Sequence, residues 1–137
     1  MSDLYQSNRK LVATYRQQLQ QKIVSLHQAE QSSDNIDPQK FYLGFKDRAI
    51  ELVQKETDLL QKECADSDNC HLLLLKQTAL VDTLVQASFY SAVWYFNHQN
   101  NQEWTTQSVP IAIVARGGYG REEMYFRSDV DIQIVSE

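Results

Sequence analysis

The sequence predicts an α+β fold: about three helices over residues 1–108, then the first strand–turn–strand of an α/β unit over residues 109–137. Two observations lead there. Apolar residues recur at helical spacing through three long segments separated by short polar breaks. The chain then changes character, and three of its four glycines fall within positions 117–120, directly after the apolar run Ile111, Ile113 and Val114.

Residues 3–30 read as the first helix. Leu4, Leu11, Tyr15, Leu19, Ile23 and Leu26 recur at spacings of three, four and seven. Its other face is rich in glutamine, and Arg9, Lys10, Arg16 and Lys22 make it locally basic, as a solvated face would be. Ser32, Ser33, Asp34 and Asn35 are turn formers and predict a loop over residues 31–38. Asp37 before Pro38 marks a helix start, because Asp caps the free N–H groups and Pro is tolerated in the first turn. The second helix is expected over residues 38–63, with Phe41, Phe45, Leu52, Leu59 and Leu60 among its apolar positions. The polar run 65–69 breaks it.

Residues 70–97 form the third and most apolar helix. Leu73, Leu80, Leu84, Phe89, Val93 and Phe96 are expected to be buried. The aromatic bulk of Tyr90, Trp94 and Tyr95 is expected to pack against the sheet that begins at Val109. Residues 97–108 read as a polar loop, with Trp104 as its anchor. His27, His71 and His98 share no spacing and are expected at the surface.

The last segment carries the chemistry. Ile111, Ile113 and Val114 have the apolar continuity of a buried strand. Gly117, Gly118 and Gly120 stop it and allow close approach of the backbone to another group. A short helical turn follows. In a second strand, Asp129, Asp131 and Gln133 would face one way, Val130, Ile132 and Ile134 the other. Two carboxylates then point together beside a turn with free N–H groups, a suitable place for Mg²⁺ carrying a phosphate chain. Ser128 could donate a hydroxyl to a phosphate oxygen. Arg121 could offset phosphate charge or brace Glu123. Each half alone also fits a plainer reading: a tight glycine turn, or a solvated strand face.

The string Gly-Gly-Tyr-Gly-Arg-x-Glu-Met-x-x-x-Ser-Asp-Val-Asp over residues 117–131 resembles the nucleotidyltransferase superfamily that includes DNA polymerase β. It looks most like the bacterial protein-PII uridylyltransferases. The resemblance implies Mg²⁺ held by Asp129 and Asp131 as the catalytic pair, and a nucleoside triphosphate, UTP, bound by Gly117, Gly118, Ser128 and Arg121. It also implies nucleotidyl transfer to a tyrosine hydroxyl of a PII-type signalling protein. Phe126 stands where such sequences commonly have proline, and Gln133 where they have an aliphatic residue. Their third carboxylate lies on a later strand, whereas this chain stops at Glu137. Two strands also fall short of an independent sheet. Both points lead us to expect the front part of something longer. The alternatives are a helical protein-interaction module carrying a vestigial nucleotide site, or another small nucleotidyltransferase of adenylyltransferase or antitoxin type.

Composition narrows the partners. Hydrophobic residues make up 42% of 137, enough for one real core. A net charge of −5 and a pI near 5.1 argue against a nucleic-acid surface. No apolar run approaches the roughly 20 residues that span a bilayer, and no signal pattern opens the chain. Cys64 and Cys70 read as ordinary reduced thiols. A cytoplasmic protein with no membrane partner is the expectation.

Overall fold

The computed structural model describes residues 2–30 and 36–137, so the turn formers expected at positions 32–35 lie outside the described residues. The elements are α1 (Ser2–Glu30), α2 (Pro38–Asp66), α3 (Cys70–Asn100), β1 (Ile111–Ala115), the short α4 (Gly117–Gly120) and β2 (Ile132–Ser136). The protein is mostly helical with one small antiparallel sheet, an α+β class. Among the described residues, no helix is long and apolar enough to cross a membrane.

The helices start and stop where backbone donors and acceptors find partners. Asp37 caps α2, its Oδ1 accepting from the N–H of Gln39 at 3.0 Å, with Pro38 in the first turn. Asn69 caps α3 by accepting from the N–H of Leu72 at 3.2 Å. Asn101 ends α3 in the left-handed conformation, φ 51°, where Asn is tolerated.

The three long helices run up, down and up, and α1 and α3 are parallel. Contacts step along their length. Val12 meets Leu72, Leu75 and Ala79; Leu19 meets Leu60 and Leu80; Ile23 meets Phe45, Ala49 and Ala87. The buried stripe of α1 is therefore Asn8, Val12, Leu19, Ile23 and His27, while Leu4 and Leu11 face outward. The apolar period of the sequence fitted two neighbouring stripes, and packing selected the one that includes Asn8 and His27.

Several buried polar groups of this bundle are paired across helices, as burial favours, whereas His27 Nδ1 and Gln77 Oε1 are buried without a hydrogen-bond partner among the described residues. Asn8, almost fully buried, donates Nδ2–H to Asn69 Oδ1 at 3.1 Å and accepts from Asn69 Nδ2 at 2.9 Å. It thereby fixes the residue that caps α3 to α1. Glu56 of α2 is also buried. It pairs with Lys22 and accepts from the Tyr15 hydroxyl at 3.2 Å. Burial, with the Glu56 charge adding to it, holds the Tyr15 phenol well above its usual range.

Four expectations are corrected here. His27 is buried, not a surface residue: its ring stacks on Phe45 at 4.0 Å between centroids and meets the Tyr90 ring edge-on. The aromatic stripe of α3 packs mainly on α2 rather than on the sheet, with Trp94 against Phe41 and Tyr95 against Tyr42. Phe96 is half exposed and meets the chain ahead of β1 only across an apolar cleft of about 310 Å³, shared with Phe89, Trp104 and Pro110. The basic residues of α1 are not simply solvated, since Arg9, Arg16 and Lys22 all form ion pairs with other elements.

β1 and β2 pair antiparallel, Ile111 opposite Ser136 and Ala115 opposite Ile132. The apolar run is not a buried strand: Ile111, Val114, Ile132, Ile134 and Val135 are all exposed.

His27 generates a pH prediction. Burial lowers its pKa from the ordinary 6.5. Above pH 6.5 both folded and unfolded chains hold it neutral, and its full contribution is present. Below that, the unfolded chain takes up the proton first, so stability falls as pH drops toward the lowered folded value. Thermal unfolding followed by circular dichroism should show a smaller loss of melting temperature between about pH 7 and about pH 5 in His27→Phe than in the unaltered chain.

Candidate functional site

The expected site residues converge on the segment from β1 to β2. β1 ends at Ala115, and Arg116, in extended conformation, begins α4. Gly117 has φ +55°, a conformation that glycine adopts without the strain a Cβ brings. The backbone N–H of Arg116 donates to the carbonyl of Asp131 at 2.9 Å, which prolongs the β1–β2 pairing by one residue. Gly117 and Asp131 are thereby brought together. A Cβ on Gly117 would lie 2.7 Å from Asp131 Oδ2. Within α4 the ladder begins with Gly120 N–H to Arg116 O at 2.9 Å and Arg121 N–H to Gly117 O at 3.3 Å. The N–H groups of Gly117 and Gly118 fall before it, as at any helical start.

The two carboxylates are not on the second strand. β2 begins at Ile132, so Asp129 and Asp131 lie on its extended lead-in, both exposed. The cause is β1: it turns into α4 after Ala115 and gives residues 129–131 only the single Arg116 bond. Ser128 Oγ accepts the N–H of Tyr125 at 3.0 Å, leaving its own O–H available to donate. Arg121 takes the bracing role, with Nε donating to Glu123 Oε2 at 2.9 Å on the open surface. Among the described residues, no group of three or more His, Cys, Asp or Glu side chains is placed to hold a metal. Asp129 and Asp131 are a two-carboxylate donor pair of hard oxygens, which suits Mg²⁺ completed by substrate phosphate.

What positions this segment is its inner side, which the sequence reading missed. Tyr119 and Met124 are buried against Val81 and partly buried Val85 of α3. Phe126 packs on the cluster of Leu19, Leu60 and Leu80, which gives a physical role to the aromatic residue at a position where proline was the commoner expectation. The Tyr119 hydroxyl donates to Asp82 Oδ1 at 2.7 Å, and Arg16 of α1 pairs with the other oxygen of the same carboxylate. Burial first, and then the Asp82 hydrogen bond, push the Tyr119 phenol above its usual range. Glu122, with φ 60°, accepts from both terminal nitrogens of Arg9, one at 2.9 Å. That hydrogen bond lowers the Glu122 pKa. The anchors Tyr119, Glu122, Met124 and Phe126 thus hold the inner side, while Gly117, Asp129 and Asp131 lie on the exposed side.

The anchor and the exposed side should separate in stability measurements. Met124→Ala should cost about 2–5 kcal/mol of unfolding free energy in urea titration, whereas Asp129→Asn should change it by less than about 0.5 kcal/mol. Gly117→Ala should cost about 1 kcal/mol or more, because its positive φ and the Asp131 carboxylate both oppose a Cβ.

No family model, curated protein or solved structure matches the chain.

Proposed function

We propose that residues 111–136 bind a nucleoside triphosphate with Mg²⁺ and transfer its nucleotidyl group to a protein hydroxyl. By the motif over residues 117–131 the nucleotide is UTP and the acceptor a PII-type signalling protein. One observation carries the reading. A glycine in the left-handed region lies directly under the carboxylate of Asp131, leaving no room for a side chain between them. A turn built only for reversal of direction does not need a carboxylate over its first glycine.

Each residue has a role in that reaction. Gly117 and Gly118 offer backbone N–H groups that approach phosphate oxygens closely because no side chain intervenes. Ser128 adds its hydroxyl donor. Asp129 and Asp131 hold Mg²⁺, which when bound polarises phosphate oxygens and offsets their charge. The acceptor hydroxyl oxygen attacks the α-phosphorus, the bond to the bridging α–β oxygen breaks, and pyrophosphate leaves; the hydroxyl proton passes to solvent. Anchoring of the turn on α1 and α3 limits its freedom, so that less ordering is required on binding.

The test is calorimetric titration with UTP in the presence and absence of Mg²⁺. The unaltered chain should bind UTP in a Mg²⁺-dependent manner, and the double variant Asp129→Asn with Asp131→Asn should lose that binding. Unchanged binding in the double variant removes the site assignment.

A further inference from the structure

A triphosphate, two carboxylates and one divalent cation sum to net negative charge, so such a site needs a cation from the protein. Arg121 is the residue the motif suggests, but its guanidinium is engaged with Glu123. We propose that Arg116 is the side chain that contacts the phosphate chain, an inference that rests on the nucleotidyl-transfer reading above.

Three observations point to it. The first is register. The pairing of Ala115 with Ile132 extends one step, and Arg116 N–H bonds to Asp131 O at 2.9 Å. Directly opposed residues of an antiparallel pair leave the sheet on the same face, with Cβ atoms about 5 Å apart. Arg116 therefore emerges beside Asp131. The second is sequence adjacency: Arg116 immediately precedes Gly117, whose Cα lies under the Asp131 carboxylate. The third is availability. Arg116 is exposed, and among the described residues its guanidinium has no ion pair or hydrogen bond, unlike Arg9, Arg16 and Arg121, which are all engaged.

The chemistry suits the β- and γ-phosphates. A guanidinium is always charged and presents a planar fork that two phosphate oxygens can accept. A contact of this kind scales with the length of the phosphate chain and is indifferent to the base. Arg116 would then separate UTP from UMP, while base choice lies elsewhere.

The experiment is calorimetric titration of the whole chain with UTP, UDP and UMP, all with Mg²⁺. Arg116→Ala should weaken UTP binding about tenfold or more while leaving UMP binding as in the unaltered chain. Arg116→Lys should recover part of the loss. Arg116→Gln, which keeps a polar side chain but removes the charge, should behave as Arg116→Ala and serves if the alanine variant folds poorly, as judged by its thermal melt. If UTP binding is unchanged in Arg116→Ala but lost in the Asp129→Asn/Asp131→Asn variant, the Arg116 assignment is overturned and the site survives. Equal weakening of UTP and UMP likewise overturns a role at the phosphate chain. Failure of the unaltered chain to bind UTP overturns both readings.

Discussion

The carboxylate of Asp82 is the point on which the arrangement of the molecule depends. One oxygen receives the Tyr119 hydroxyl and the other pairs with Arg16, so α1, α3 and α4 meet at a single group. Val81, Val85 and Met124 close over the neighbouring surface and reduce access of water. A hydrogen bond to an ionised acceptor in such a place is stronger than one in water, and costly to leave half made. The Arg9–Glu122 pair holds the far side of the same turn. It is more exposed, and its bidentate geometry contributes direction more than energy. Together these contacts turn a glycine-rich loop, which would otherwise sample many conformations, into a fixed part of the helical bundle.

Much of the backbone was legible in the sequence. Apolar periodicity located three long helices and Asp37-Pro38 announced the start of α2, whereas the short helical turn expected after the glycines forms on the glycines themselves, as α4. Phase was harder. Leu4 and Leu11 recur at helical spacing just as Val12, Leu19 and Ile23 do, and only the neighbouring helices decide which stripe turns inward. Buried polar residues gave no local sign at all. Asn8 and Glu56 sit among other polar residues, and their partners Asn69, His71, Tyr15 and Lys22 are brought near by tertiary folding. The same holds for Arg9 and Arg16, read as a solvated face because Glu122 and Asp82 lie far along the chain.

The candidate site was legible in its parts and not in its mounting. Glycine spacing and the Asp-x-Asp pattern set Asp129 and Asp131 beside the glycine turn, and the structure adds that Asp131 is the one whose carboxylate lies over Gly117. Alternation placed the carboxylates on a strand, whereas pairing with β1 begins in earnest only at Ile132. Tyr119, Met124 and Phe126 carried no signal of their anchoring role, because a tyrosine between two glycines and a methionine and a phenylalanine in a short segment rich in charged residues fit a surface loop equally well.

The exposed sheet has a consequence for how the molecule breathes. In most α+β proteins the strand ladder is the last part to open and the connecting loop the first. Here the order inverts. The amides of β1 and β2 belong to a two-stranded ladder with solvent against both strands, while the connection between them is held by Tyr119, Met124 and Phe126 in the groove of the bundle. Local opening draws on regions with few buried contacts. The strands can therefore fray and re-pair as a hinged flap while the turn stays seated, so that amide hydrogens on either side of the glycines exchange with solvent sooner than those at the anchored centre.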